Sequence, residues 1–353
     1  MCGGKSAEHR VSLVSAKTIL ENLDRKKFVF ELVFIDTRGR WLKADAKLLA
    51  GKVETKEKKI AVGGKALAAG ASKHLAAPRS RPDVVFPALH GPMGEDGTVQ
   101  GLFELAGVPY VGCGVLGSAV GMDKEATKKL ALQTGIPILP YRAAHNIEQA
   151  RQAAAQLGEY PLFIKPARMG SSVGISKVKS DADLDRAITS AFQYDDKILL
   201  EKGMEAREIE CALLGDPWAD DSDPLALKAS ICGEIVPQAE FYDYEAKYLN
   251  PGGARLVIPA GIPAEAMRQI QELGVKAFKT LDGYGMARAD FLMDKNSGAV
   301  YFSEINTIPG FTPSSMYHLL WKASGLPLPE LLNRLIELAL RRHKTRSQLK
   351  TAP

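Results

Sequence analysis

Two runs near the C-terminal end, residues 286–293 and 299–305, read as strands joined by the turn-forming Asp294-Lys295-Asn296-Ser297-Gly298. Arg288 and Asp290 are two apart and share one face of the first run, and Glu304 and Asn306 share one face of the second. If the runs pair as a hairpin, three oxygen ligands and one guanidinium converge. Carboxylate and amide oxygens suit Mg²⁺, which neutralises nucleotide phosphates during phosphoryl transfer. The alternative is a half-exposed polar sheet face. An acid followed by Ile305-Asn306-Thr307 and then Pro309-Gly310 is, however, a costly way to build plain surface.

Upstream, strands and helices alternate, which predicts an α/β protein. Residues 28–36 and 83–89 are strand-like, 122–134 helical, and 160–166 and 197–201 short strands around a helix at 182–192. A final amphipathic helix carries Leu331, Leu332, Leu335, Ile336, Ala339 and Leu340 at helical spacing, with Arg341, Arg342 and His343 at its C-terminal end. At 353 residues the chain is too long for one ordinary core, so two or three domains are expected.

Composition excludes several classes. Hydrophobic residues make up 46% and charged residues 25%, as in ordinary globular proteins. The net charge of +5 is spread along the chain, with local excess only at 52–59 and at the C-terminal end, so no nucleic-acid face is expected. Cys2, Cys113, Cys211 and Cys232 have neither metal-type nor disulfide-type spacing and read as reduced thiols. No apolar run reaches the length of a membrane span and no targeting segment opens the chain, so a cytoplasmic protein is expected. The acidic stretch 216–223 should be a surface loop.

Two nucleotide motifs fail on inspection. Gly4-Lys5-Ser6 resembles the end of a phosphate loop, but its leading glycine would fall before residue 1. Gly112, Gly114 and Gly117 match a dinucleotide fingerprint, yet no acid follows near residues 133–137, and a turn is the better reading. Lys165-Pro166, followed by Arg168-Met169-Gly170-Ser171-Ser172-Val173-Gly174, is a lysine before a small-residue loop, which either closes over phosphates or is a plain surface turn. Residues 241–248 are too polar for core and too aromatic for a passive linker, and read as a substrate-covering loop.

Taken together, ordered motifs over nearly the whole chain resemble the D-alanine–D-alanine ligase family. They are Gly3-Gly4-Lys5-Ser6-Ala7-Glu8-His9, His90-Gly91-Pro92-Met93-Gly94-Glu95-Asp96-Gly97, Gly121-Met122-Asp123-Lys124, Lys165 through Gly174, 242–248, and Glu304 through Thr312. The resemblance implies an α/β, three-domain ATP-grasp architecture with a preATP-grasp N-terminal domain, divided as 1–112, 113–204 and 205–345 with a tail at 346–353. It implies ATP-dependent joining of two D-alanines through a D-alanyl phosphate, for peptidoglycan synthesis, in a homodimer.

Carried over motif by motif, Lys124, Lys165 and Lys247 would contact ATP phosphates, and the loop with Gly170 and Ser172 would cover them. Glu201 and the backbone of Lys202 to Met204 would hold adenine, and Glu208 the ribose. Asp290, Glu304 and Asn306 would bind two Mg²⁺ (or Mn²⁺) ions. Arg288 and the Gly310 N–H would face the developing oxyanion. Glu8, tied to Ser171 and Tyr248, would hold the first substrate's ammonium with His90 nearby. Ser315 and the Met316 N–H would clamp the second substrate's carboxylate. Tyr248 favours a dipeptide over a D-lactate ester; D-serine as second substrate, or an inactive nucleotide-binding relative, are the alternatives. Two departures stand out. Only Met1 and Cys2 precede Gly3, so the family's first strand is expected to be missing, and Arg10 stands where the family has Glu.

Overall fold

The structure, a computed structural model, describes residues 1–49, 81–237 and 254–350. The expected covering loop at 241–248, with Lys247 and Tyr248, lies outside the described residues, as does most of 48–80.

The N-terminal sheet has the order β1-β2-β3: β1 (Cys2–Gly3), β2 (Leu32–Ile35) and β3 (Trp41–Ala44). The expectation of a missing first strand is therefore corrected. Two residues suffice because they are held on both sides. Cys2 and Gly3 pair in parallel with Phe34 and Ile35, while Cys2 also bridges to Ala88. The Met1 amino group donates to Phe86 O at 2.8 Å and the Ala88 N–H to Met1 O at 2.9 Å. The 83–89 run makes only isolated bridges, since Pro87 has no N–H to continue a ladder. Out of β1 the chain turns at Gly3, φ +94°, into α1 (His9–Asn22). Helix α2 (Thr98–Ala106) packs against Ile35, Val85 and Leu89 through Val99 and Phe103.

The expected 122–134 helix is α4 (Lys124–Gln133), and a further helix that was not expected, α3 (Val115–Met122), precedes it. Asp123 is extended at the break and caps α4 by accepting the Ala126 N–H at 3.0 Å. The central sheet runs β4-β7-β5-β6: β4 (Tyr141–Ala144), β5 (Leu162–Pro166), β6 (Ser176–Val178) and β7 (Ile198–Lys202). Helices α5 (Ile147–Leu157) and α6 (Asp181–Ala191) cover one face through Leu162, Ile164, Ile188 and Leu200. The strand period puts Lys165 and Glu201 on the other face.

The third sheet has the order β10-β9-β8-β11-β12 and is antiparallel throughout: β8 (Ala206–Gly215), β9 (Lys228–Pro237), β10 (Ala254–Val257), β11 (Gly285–Asp294) and β12 (Val300–Asn306). The hairpin expected from sequence is β11–β12, with Arg288 opposite Asn306 and Asp290 opposite Glu304. Helix α7 (Ala264–Thr280) seals one face against Ile209, Leu213, Ala289 and Phe291. On the other face, α8 (Met316–Ala323) and α9 (Leu328–Ser347) cover Ala212, Leu214 and Met286 and share that core with α1 and β2. Beyond Met286 this face turns polar, starting at Arg288. Helix α9 continues two residues into the expected tail at 346–353. The 216–223 stretch is a β8–β9 surface loop as expected, with Trp218 exposed and Asp223 paired to Arg341 at 2.7 Å.

The brevity of β1 sharpens one expectation. A Cβ on Gly3 would lie 2.0 Å from Ile35 O, in a left-handed backbone conformation. Gly3→Ala should lower stability by about 1–3 kcal/mol at minimum from backbone strain alone, read as a reduced urea midpoint; an unchanged midpoint would show that β1 is not part of the cooperative fold.

Candidate active site

The polar face of β8, β11 and β12 carries a row of acids. Glu210, Asp290 and Glu304 lie opposite one another across the three strands. Arg288 donates from Nε to Asp290 Oδ1 and from its terminal nitrogen to Oδ2, both at 2.7 Å, and its Nε is 3.1 Å from Glu210 Oε2. A planar guanidinium so gripped has a fixed direction. At the other end of the row Glu304 sits 3.4 Å from Lys124 Nζ, which also donates to Met169 O at 2.7 Å. Lys124 begins α4 and thus ties the central region to β12. Asn306 uses its side-chain oxygen to accept the Ile308 N–H at 3.0 Å. Among the described residues no group of three or more His, Cys, Asp or Glu is gathered as a metal cluster.

Behind this row Lys165 and Lys128 both form ion pairs with Glu201, whose carboxylate is 2% exposed. Burial pushes the Glu201 carboxyl up, but the charges of the two lysines outweigh it and bring it down to about 2. Burial lowers Lys128, whereas for Lys165 the Glu201 charge overcomes burial and raises it. Lys165 also feels Glu304 and Glu208, so the polar faces of the two sheets look toward each other. The Glu201 carboxylate is thus engaged between lysines, and the strand end that follows presents backbone: the Lys202 N–H donates to Pro140 O at 2.9 Å and the Gly203 N–H to Pro161 O at 2.8 Å. The Lys202 side chain reaches Glu159 at 3.6 Å, away from the row. Met204 lies just past β7, and Glu208 stands on β8 opposite Leu292.

The small-residue loop after Lys165 turns through three left-handed residues, Ser171 at φ 52°, Ser172 at φ 60° and Gly174 at φ 71°. Such turns point successive N–H groups at an anion. Its Ser171 hydroxyl donates to Glu8, which is buried at the start of α1. Gly91 and Gly170 make room for that carboxylate: a Cβ would lie 2.6 Å and 3.0 Å from Glu8 Oε2, respectively. Next to Glu8, His90 Nδ1 is 3.4 Å from Glu95 Oε1 and 3.1 Å from Ile308 O. Burial lifts Glu95 to about 7, although its hydrogen bond with His90 acts the other way. Burial works against protonation of His90, but Glu95 and the Glu8 charge prevail and raise it.

Across from Glu8 the chain leaves β12 through Gly310, where a Cβ would come within 2.8 Å of Ser315 Oγ. The Thr312 N–H donates to Ser315 Oγ and the Ser315 N–H to Thr312 O, each at 2.8 Å. This closed turn aims the N-terminus of α8, beginning at Met316, into the site, where unpaired N–H groups favour a carboxylate.

Sequence reasoning passed over Glu210, Lys128 and Glu95. Glu210 is two residues from Glu208 on one strand and Lys128 four from Lys124 on one helix, spacings that place each pair on a shared face. Glu95 stands within the His90 motif itself, but its burial was not readable.

The comparisons with known proteins decide the family. Models of the D-ala D-ala ligase N-terminus and C-terminus match residues 1–113 and 130–337. The chain belongs to the D-alanine–D-alanine ligase family. Among its relatives are a D-alanine–D-alanine ligase of Thermoanaerobacter sp. (strain X514), 46% identical over 97% of this chain and 95% of the relative, and one of Heliobacterium modesticaldum, 46% identical over 99% and 95%. Similar solved structures include the D-alanine-D-alanine ligase from Coxiella burnetii, at TM-score 0.82 and 38% identity over 98% of this chain and 94% of that one. The VanG D-Ala:D-Ser ligase from Enterococcus faecalis follows at TM-score 0.79 and 35% identity, covering 96% and 97%. The α/β ATP-grasp fold expected from the motifs is the fold of this chain.

Removing the carboxylate between the two lysines should be costly. Because Glu201 is held at about 2 against an ordinary 4.5, its contribution to stability is present above about pH 4.5 and is lost as pH falls toward 2. Glu201→Gln, which leaves Lys128 buried without its counter-charge, should cost about 3–5 kcal/mol near neutral pH. Guanidinium unfolding curves should also show a shallower loss of stability for the variant between those two pH values; parallel acid profiles would contradict the assignment.

Proposed function

We propose that the chain joins two D-alanines into D-alanyl-D-alanine at the expense of ATP, forming ADP and phosphate. The observation that carries this reading is the Arg288–Asp290 pair, set in a row with Glu210, Glu304 and Lys124. It is a fixed cation beside a bank of oxygen donors, as an acyl transfer driven by phosphoryl transfer needs. The names of the relatives support the same activity.

A carboxylate is a poor electrophile. The first D-alanine therefore takes the γ-phosphoryl group of ATP on a carboxylate oxygen, releasing ADP. The amine of the second D-alanine then attacks the acyl carbon, loses a proton, and expels phosphate. Lys124 and Lys165 supply positive charge to the phosphates, joined by Lys247, while the Gly170–Ser172 segment closes over them. The turn from Glu201 through Lys202 to Met204 receives adenine, with Glu201 acting through Lys165 as well, and Glu208 receives the ribose. Arg288 and the Gly310 N–H face the oxygen on which charge builds during attack. Glu8, oriented by Ser171 and with Tyr248, holds the first ammonium, and His90 lies beside it. Ser315 and the Met316 N–H hold the second carboxylate.

The donor set of Asp290, Glu304 and Asn306 is all oxygen, and both acids already attract cationic side chains, which fits two Mg²⁺ (or Mn²⁺) ions. Bound there, the ions would neutralise charge on the nucleotide phosphates. A place in peptidoglycan precursor synthesis, a cytoplasmic location and a homodimer complete the reading; among the described residues no helix is long and apolar enough to cross a membrane. D-serine as second substrate remains the second reading because a D-Ala:D-Ser ligase shares the fold. Retention of Lys124, Lys165, Arg288, Asp290, Glu304 and Asn306 disfavours an inactive relative.

Phosphate release from ATP and Mg²⁺ should depend on D-alanine, with D-alanyl-D-alanine identified by mass; D-serine-dependent mixed dipeptide as the main product would favour the second reading. Arg288→Ala should lower kcat by about 10²–10³-fold, the cost of one oxyanion donor. An unaffected kcat would remove Arg288 from that role.

A further inference from the structure

Ser15 is fully buried on α1 and belongs to none of the motifs, yet it joins the two ends of the site. Its Oγ lies 3.1 Å from His90 Nε2 and accepts the Phe311 N–H at 3.1 Å. The other ring nitrogen of His90 is 3.1 Å from Ile308 O. A carbonyl can only accept, so Nδ1 carries the hydrogen, and in the neutral imidazole Nε2 is then left as an acceptor. The Ser15 hydroxyl therefore donates to Nε2 while its oxygen receives the Phe311 amide. For the neutral ring the direction of every hydrogen follows: Phe311 N–H to Ser15, Ser15 O–H to His90 Nε2, and His90 Nδ1–H to Ile308 O, with Glu95 Oε1 3.4 Å from the same Nδ1. One imidazole thus grips both ends of the four-residue span that contains Gly310, directly at Ile308 and through Ser15 at Phe311.

We infer that Ser15 is a positioning residue: with His90 it fixes the span 308–311 and so aims the Gly310 N–H at the reacting centre. This rests on the proposed role of Gly310. The tie crosses the fold, since Ser15 and Phe311 are 296 residues apart and belong to α1 and to the turn after β12. Its span has little freedom of its own. Pro309 fixes one φ, and a side chain at Gly310 would strike Ser315.

Two measurements on the full chain test this. The first is kinetic. Ser15→Ala should lower kcat by about 10²-fold, the scale of a small misplacement of a catalytic group, with KM for ATP unchanged. Ser15→Thr, which keeps the hydroxyl, should recover most of that loss. A Ser15→Ala enzyme with wild-type kcat, or one whose KM for ATP rises while kcat holds, would overturn the inference. The second needs neither turnover nor a variant that folds. Ring ¹⁵N NMR of His90 in the wild-type chain at a pH where the ring is neutral should show the Nδ1–H form, with Nε2 as a hydrogen-bond acceptor. The Nε2–H form would overturn the inference even if the ligase activity stands. If the wild-type chain shows no D-alanine-dependent turnover while the Nδ1–H form is seen, the failure lies with the ligase reading, not with the hydrogen-bond chain through Ser15.

Discussion

The register of β11 between β8 and β12 is the constraint on which the rest of the site depends. It sets Glu210, Asp290 and Glu304 side by side and leaves Arg288 one step away on the same face. Because side chains alternate along a strand, a slip of one residue would turn Arg288 and Asp290 into the core and bring Ala289 and Phe291 out. The apolar face forbids that slip: Ala287, Ala289, Phe291 and Met293 are buried against the α7 side together with Ile209 and Leu213. The polar row is therefore held in place by the hydrophobic contacts on the opposite face of the same strands.

A second constraint brings the remaining groups to this row. The core beneath the N-terminal sheet is not closed on itself; Leu13, Phe34 and Val111 share a cluster with Met286, Phe311, Tyr317 and Leu331. The start of α1, with Glu8 and Ser15, is consequently packed onto the part of the chain that carries Gly310 and the N-terminus of α8. Lys124 does the same from the central region through Glu304 and Met169. Glu8, Ser15 and Gly310 meet because one shared core lies behind them, while Lys124 reaches the row through polar contacts.

Much of this was legible in the sequence where spacing alone decides geometry. The β11–β12 hairpin, its polar face, and the turn at residues 294–298 follow from period two and turn chemistry. The first strand was not legible. Two residues carry no periodicity, and β1 exists through its neighbours: β2 on one side, and Phe86 and Ala88 on the other. The 83–89 run misled in the opposite sense, since its composition favours a strand while Pro87 limits it to bridges. The pairing of Lys128 with Glu201 was hidden for another reason. Nothing in the neighbours Lys128 and Lys129 tells that the first is buried against an acid more than seventy residues away and the second is exposed. Motif resemblance gave Glu201 a role, but only the fold reveals the two lysines that hold it.

The central claim is that the first D-alanine is activated as an acyl phosphate at the Arg288 face. It is tested most directly by the fate of oxygen. D-Alanine labelled with ¹⁸O in its carboxylate is turned over with unlabelled ATP, and the released phosphate is analysed by mass. The account requires one ¹⁸O atom in each phosphate formed per dipeptide, carried there when the acyl–oxygen bond breaks. Dipeptide formation with unlabelled phosphate would contradict it.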